Sequence, residues 1–536
     1  MFDVVIKNGL VVDGTGRRGF RADLGIQDDR IAQLGELESS GTRTLDAEGC
    51  VVAPGFIDIH AHTDELILAN PRCESKATQG VTTEVSGNCG HSAAPRGGRQ
   101  NLEESASRLS EYGIEVTWST MGEFLDKLPH LPMAVNFATL VGHGLVRSAA
   151  MGYADRQPTE GELAEMRRLV EQAMDDGAFG LSSGLIYPPS CYARTEELIE
   201  LCRSAAPYGG IYATHIRNEG EALLEAVDEA LRIGAEAGVG VQISHHKACG
   251  RRSWGKVKDS LAVIDEARTR GADVWADQYP YVATATGLGM MLPKWAHDGG
   301  TRALLARLRN EDEWRRLREQ LLQDTREGWI GDFGGWESVV ISSVREEKNR
   351  FCEGLSLVEV AKITGRDPVD AAMNLLLEEQ GSVGITHFVI NEEDVATVMR
   401  HPAVIIGSDA TARAVIGPLG RGKPHPRAYG TFVRVLGKYV REDKVLSLEE
   451  AVAKMTGRTA RRLSLVGRGV LAEGYYADIT VFNPDTVADM ATFEDPHRAA
   501  NGIKYVLVNG RVVLDDGHLA HTDGCGPGRV LRRGVN

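Results

Sequence analysis

The feature that most constrains this chain is a strand-then-helix alternation repeated eight times. Short apolar strands recur as FIDIHAH (56–62), TTEVSGN (82–88), VNFATLVG (135–142), AFGLSSG (178–184), GIYATHI (210–216), GVQISHH (240–246), ADVWADQYPY (272–281) and AVIIGSD (403–409). Amphipathic stretches such as 162–177 and 219–238 lie between them. Eight such units predict an α/β fold, a parallel (β/α)8 TIM-like barrel over residues 55–465, with the helical apolar stripes covering the barrel. The two chain ends read differently, as short strands with turns. Residues 1–54 and 466–536 are expected to pair into one small β-sandwich. About 120 residues separate strand seven from strand eight, including the helix-like TRALLARLRNEDEWRRLREQLLQ (301–323). An insertion over about 284–345 is expected on the face where barrel active sites form, as a lid or pocket wall.

Composition excludes several classes. A formal net charge of −15 across 536 residues argues against a nucleic-acid-binding surface and against adhesion to acidic membranes. No apolar run approaches the ~20 residues needed to span a bilayer. The start, MFDVVIKNGLVVDG, alternates like a strand and lacks the features of a signal peptide, so a cytoplasmic setting is expected. Eight cysteines in a chain of this length are then expected as thiols rather than as a disulfide framework.

The chemistry gathers at strand ends. His60 and His62 close the first barrel strand two positions apart, so both imidazoles point to one side. Cys89 follows strand two in SGNCG, while His215 and His245 end strands five and six. A Cys/His/His set from three strand ends leaves a fourth position open, as a catalytic zinc site requires. Cys50, Cys73, Cys191, Cys202, Cys249 and Cys352 read as buried, inert thiols. Asp409, closing strand eight, reads as a proton shuttle for a metal-activated water. His246 alternates away from His245, towards the core or a supporting position, and no role is read for His143 or His387. No lysine lies between Lys127 and Lys247, so strands three to five cannot supply a carboxylated bridging lysine. Cys89 is the natural anionic substitute.

At this point FDVVIKNGLVVDGTG, APGFIDIHAHTD, GNCG, SHHK, DQYPY, GSD and PHPR, in this order, resemble the D-aminoacylases, or N-acyl-D-amino-acid deacylases, of the amidohydrolase superfamily. The resemblance spans nearly the whole chain, and GNCG with SHHK and PHPR carries most of its specificity. It implies a metal-dependent amidohydrolase barrel with zinc held tightly at Cys89, His215 and His245. His60 and His62 would line a second, weaker metal position that can share Cys89, and Asp409 would be the catalytic carboxylate. It also implies that Arg427 clamps the substrate α-carboxylate, with Lys247, Tyr187 and Tyr279 as further substrate contacts. The loop SDATARAVIGPLGRGK (408–423) is longer and more basic than the SDG of many members, and Thr284 or Thr286 replaces a serine expected after YPY.

The expected reaction is hydrolysis of an N-acyl-D-amino acid, a small molecule, by a monomer or homodimer. Leu288, Met290 and Met291 favour an apolar or broad side-chain preference. Arg413 and Arg421 would instead suit N-acyl-D-glutamate or N-acyl-D-aspartate. A cyclic-amide hydrolase of the hydantoinase or dihydroorotase kind is the remaining enzymatic alternative, and the lysine gap weighs against it.

Overall fold

A computed structural model describes residues 1–38, 41–520 and 524–534. The eight expected strands form a parallel barrel: β1 (Phe56–Asp58), β2 (Val81–Ser86), β3 (Asn136–Thr139 continuing as Val141–Gly142), β4 (Gly180–Gly184), β5 (Ile211–His215), β6 (Gly240–Ile243), β7 (Val274–Gln278) and β8 (Val404–Ile406). Two hydrogen-bonded arcs, β1–β2–β3 and β3 through β8, meet where β3 breaks at Leu140. A parallel bridge between Ala61 and Ala410 joins β1 to β8 and closes the ring. Strands β2, β4 and β5 are buried along their whole length, because side chains fill the lumen on one face and helices cover the other. No helix of the described residues is long and apolar enough to cross a membrane.

The chain ends meet as expected. Val51–Pro54 pairs with Leu10–Val11 on one side and with Ile479–Phe482 on the other, so one seven-stranded sheet joins strands from both end regions of the chain. A four-stranded sheet around Phe2–Lys7 packs on it over Val4, Ile6, Leu24, Val52, Ile479 and Leu507. The sandwich ends at Leu519, not at 536. Beyond it the chain runs back onto the barrel, where Phe137 N–H donates to Arg529 O (2.8 Å) and Leu531 N–H to Phe137 O (2.8 Å). Residues 535 and 536 lie outside the described residues.

The insertion is longer than expected. It is a compact unit with an antiparallel sheet of Thr284–Gly287, Gly384–His387 and Val339–Ser343, packed against helices Gly300–Arg309, Glu311–Arg326, Leu357–Thr364 and Pro368–Glu378. Leu304, Leu317, Ile341 and Leu375 belong to its own core. Because Thr284 pairs with His387, the unit extends through 387, past the expected limit of 345.

Just below the rim, β1 and β8 are tied by a fully buried ion pair. Lys76 Nζ donates to Asp58 Oδ2 (2.5 Å), Ser408 Oγ (2.7 Å) and Ala410 O (2.8 Å), using all three of its donors. Asp58 Oδ1 accepts from Ser408 N–H (2.8 Å) and His60 N–H (3.2 Å). Removing one partner of a buried pair leaves an uncompensated charge in a low-dielectric interior. Lys76→Met is therefore expected to cost about 3–5 kcal/mol of stability and to lower the thermal midpoint markedly. An unchanged midpoint would contradict this account of barrel closure.

Candidate active site

The predicted histidines, Cys89 and Asp409 come from separate strand ends and converge on the upper rim of the barrel. Two overlapping groups result, with candidate ligand atoms lying within 4.8 Å of one another: Cys89, His215 and His245, and His60, His62, Cys89 and Asp409. Cys89 belongs to both. Its Sγ lies 3.3 Å from His60 Nε2 and 3.4 Å from His245 Nε2. Asp409 Oδ1 lies 3.0 Å from His62 Nε2 and 3.5 Å from His60 Nε2. The rings of His215 and His245 stand edge to face, centroids 4.3 Å apart.

Local backbone geometry enforces this convergence. Cys89 (φ 52°), His245 (φ 35°) and Asp409 (φ 50°) all sit in the left-handed region, which non-glycine residues occupy only where their surroundings over-determine it. Each lies just past its strand, so the reversed φ turns the side chain back over the lumen. The Cys89 loop also needs the bare backbone of Gly184, where a Cβ would fall 2.2 Å from Cys89 O.

The donor set fits a metal. Both ring nitrogens of buried His215 lack a hydrogen-bond partner, and a ligated ion would remove the deficit of about 1–3 kcal/mol at the nitrogen it binds. One thiolate and two imidazoles is a zinc-type set with room for further ligands. Burial pushes the Cys89 thiol up, but His60 and His245 outweigh it and hold the thiol well below its ordinary range, towards the ligating thiolate.

Residues not singled out by the sequence hold these ligands in place. Asp277, at the end of β7, accepts from His60 Nδ1–H (3.0 Å) and His245 N–H (2.8 Å) through Oδ1. Its Oδ2 accepts from Gln242 Nε2 (2.8 Å), and Gln242 Oε1 accepts in turn from Arg462 Nε (3.1 Å). A carboxylate can only accept here, so Nδ1 of His60 carries a proton and Nε2 is the nitrogen that faces the centre and would meet a metal. Glu219, four residues after His215, lies 3.0 Å from His245 Nδ1. Burial raises the Glu219 carboxyl, but Lys247, His215 and His245 outweigh it and hold the group below its ordinary value. Lys247 stands beside these supports. Although it lines the pocket, its ammonium lies against Glu219 Oε1 (2.5 Å), His245 O (2.8 Å) and His245 Nδ1 (2.8 Å), so it buttresses the rim from within the protein.

A cavity of about 660 Å³ opens above the centre. Arg427 Nη1 lies 2.7 Å from Asp409 Oδ2, and its guanidinium carbon sits 4.7 Å from the Tyr279 ring centroid. Burial raises the Asp409 carboxyl, but Arg427, His245 and His62 outweigh it and hold the group well below the usual carboxylate range. The Tyr279 hydroxyl is buried without a partner, and Tyr187 OH accepts from Thr286 Oγ1 (3.3 Å). The insertion contributes Thr284, Met290, Met291, Lys294, Phe333 and His387 to the wall. Burial lowers His387 to about 4, so it is neutral at physiological pH.

Several expected residues lie elsewhere. Leu288 is inside the insertion core, and neither Arg413 nor Arg421 lines the cavity. His246 pairs with Ser260 Oγ (2.8 Å), and His143 sits between Ser190 Oγ (2.9 Å) and Glu197 (2.9 Å), both away from the centre.

With this geometry in hand, relatives are informative. The amidohydrolase family model matches residues 43–514. The D-aminoacylase of Alcaligenes xylosoxydans xylosoxydans is 40% identical over 533 residues, covering 99% of this chain and 98% of that one. The crystal structure of the N-acyl-D-glutamate deacylase from Bordetella bronchiseptica, complexed with zinc and a phosphonate mimic of the tetrahedral intermediate, superposes with a TM-score of 0.83 at 36% identity, covering 99% of each chain. A D-aminoacylase structure devoted to its binuclear metal centre, with one-metal activation and second-metal attenuation, gives 0.82 at 37% identity over 99% of this chain and 100% of that one. The chain belongs to the amidohydrolase family, and within it to the N-acyl-D-amino-acid deacylases.

Proposed function

We propose that this protein is a metal-dependent hydrolase that splits the amide of N-acyl-D-amino acids into a carboxylate and a free D-amino acid. The observation that carries the reading is Asp409, an ionised carboxylate beside the Cys/His cluster on one side and Arg427 on the other. Cys89, His215 and His245 would hold zinc, and His60 and His62 would line a second, weaker position beside Cys89. When bound, zinc supplies a Lewis acid that polarises the acyl carbonyl and lets water deprotonate near neutral pH.

Asp409 then works as the proton carrier. It takes a proton from the attacking water and returns it to the amide nitrogen as the C–N bond breaks. Without substrate its Oδ2 is held by Arg427 (2.7 Å). A substrate α-carboxylate competes for that guanidinium, whose planar fork matches it with two parallel hydrogen bonds. As Arg427 turns to substrate, Asp409 loses a charge that depressed its proton affinity, so it becomes more basic when a base is needed. Burial pushes the hydroxyls of Tyr187 and Tyr279 up, keeping both protonated as donors to substrate oxygens. The D configuration rests on the relatives named above, and Lys247 serves as a support for His245 rather than as a substrate contact.

An apolar or broad side-chain preference is supported by Met290, Met291 and Leu292 in the wall. One observation favours the acidic alternative. Among the cations lining the cavity, Arg217 pairs with Glu229, Lys247 with Glu219 and Arg427 with Asp409, whereas Lys294 has no carboxylate in ion-pair range among the described residues.

Asp409→Asn is expected to keep wild-type zinc content by mass spectrometry while turnover of N-acetyl-D-amino acids falls by at least about 10²–10⁴-fold; near-normal turnover would overturn the assignment. Arg427→Met is expected to raise KM about 10- to 100-fold, the loss of a charged hydrogen-bond pair. A change confined to kcat would place the α-carboxylate elsewhere. Across a panel of N-acetyl-D-leucine, -methionine, -glutamate and -aspartate, the apolar members are expected to have the higher kcat/KM. The reverse order, abolished by Lys294→Met, would establish the acidic reading instead.

A further inference from the structure

The opposite end of the barrel holds a second cavity, of about 230 Å³, where β5 and β6 begin. Its walls carry three guanidinium groups, Arg461, Arg462 and Arg533, against one carboxylate, Asp273. In a chain with a net charge of −15 this concentration of positive charge is unusual, and the local acid does not neutralise it. Asp273 is itself committed: Oδ2 binds Arg462 Nη1 (2.7 Å) and Oδ1 accepts from Trp275 Nε1 (3.0 Å).

Two donors remain. Arg462 is only 5% exposed, and its Nη2 is buried with no hydrogen-bond partner. Arg533, on the returning C-terminal segment, uses Nε on Tyr208 O (2.9 Å) and leaves Nη1 buried and unpartnered. Buried guanidinium N–H groups are normally satisfied, and leaving two orphaned beside one cavity is costly unless something else accepts from them. Gly240 leaves space for the arrangement, since a Cβ there would fall 2.7 Å from Arg462 Nη1.

The geometry points to a binding site for a small tetrahedral oxyanion, a free phosphate or the phosphate of a monoester, clamped between Arg462 and Arg533 on the floor of the barrel. Guanidinium forks are the usual partners for such oxygens. The cavity lies at the end of the barrel away from the Cys/His rim, so it is distinct from the catalytic pocket. It is nevertheless joined to that rim, because Arg462 Nε donates to Gln242, which holds Asp277.

The test is a thermal-shift titration of the intact protein with inorganic phosphate and, separately, glycerol phosphate at constant ionic strength, with acetate as the control anion. A saturable upward shift is expected with phosphate, following the mass-action stabilisation of a native state by its ligand. Arg533→Met, at a partly exposed position, should weaken half-saturation by about tenfold or more. Arg462→Lys, which keeps the charge but not the fork, should weaken it as well. A stronger response to glycerol phosphate would identify a monoester as the preferred source, and a stronger response to inorganic phosphate the free ion. Equal shifts with acetate, or shifts unchanged in both variants, would overturn the site.

Discussion

The centre depends on one carboxylate that touches neither the Cys/His lone pairs nor the cavity. Asp277 joins three strands at the level of the rim: through Oδ1 it receives His60 from the end of β1 and the backbone of His245 beyond β6, and through Oδ2 it receives Gln242 of β6. A parallel barrel brings eight strand ends to one face but does not orient the side chains that stand there. Asp277 does so. It fixes the tautomer of His60 and holds His245 in a left-handed backbone conformation that would not persist alone. Glu219 and Lys247 pack together against the far side of His245.

Work is divided by rigidity. The proposed ligands and Asp409 stand on the barrel, whose closure is reinforced by the buried Lys76–Asp58 pair directly beneath. The pocket wall above them comes from an insertion with its own sheet and its own apolar core. This separates chemistry from selectivity, since the insertion can vary in side chains without disturbing the rim. The wall it contributes is mixed, with Met290, Met291 and Lys294 lining the cavity.

Much of this was legible in the sequence, for identifiable reasons. The eight strands are short apolar runs whose burial is local, so each announces itself, and HxH, GNCG and the histidines of β5 and β6 fall where those runs stop. The supporting residues were not legible. Asp277 stands inside the quoted DQYPY, and Glu219 lies four residues past His215 in a loop, yet acidic residues at strand ends and in loops are common and only their neighbours in space distinguish these two. The place of Lys247 near His245 in the chain likewise says nothing of Glu219, which folds back to meet its ammonium. Arg413 and Arg421 belong to a loop long enough to carry them away from the cavity. The insertion was read too short because Gly384–His387 pairs with Thr284–Gly287, a partner so distant in the chain that no local pattern records it.

In the proposed centre a thiolate, Cys89, anchors the metal alongside His215 and His245. Zinc K-edge X-ray absorption of the purified protein tests it most directly, because sulfur and nitrogen scatterers separate at ~2.3 and ~2.0–2.1 Å. One sulfur scatterer is expected in the wild-type spectrum and none in Cys89→Ala. A spectrum with only nitrogen and oxygen ligands, or one whose sulfur shell survives in Cys89→Ala, would contradict it.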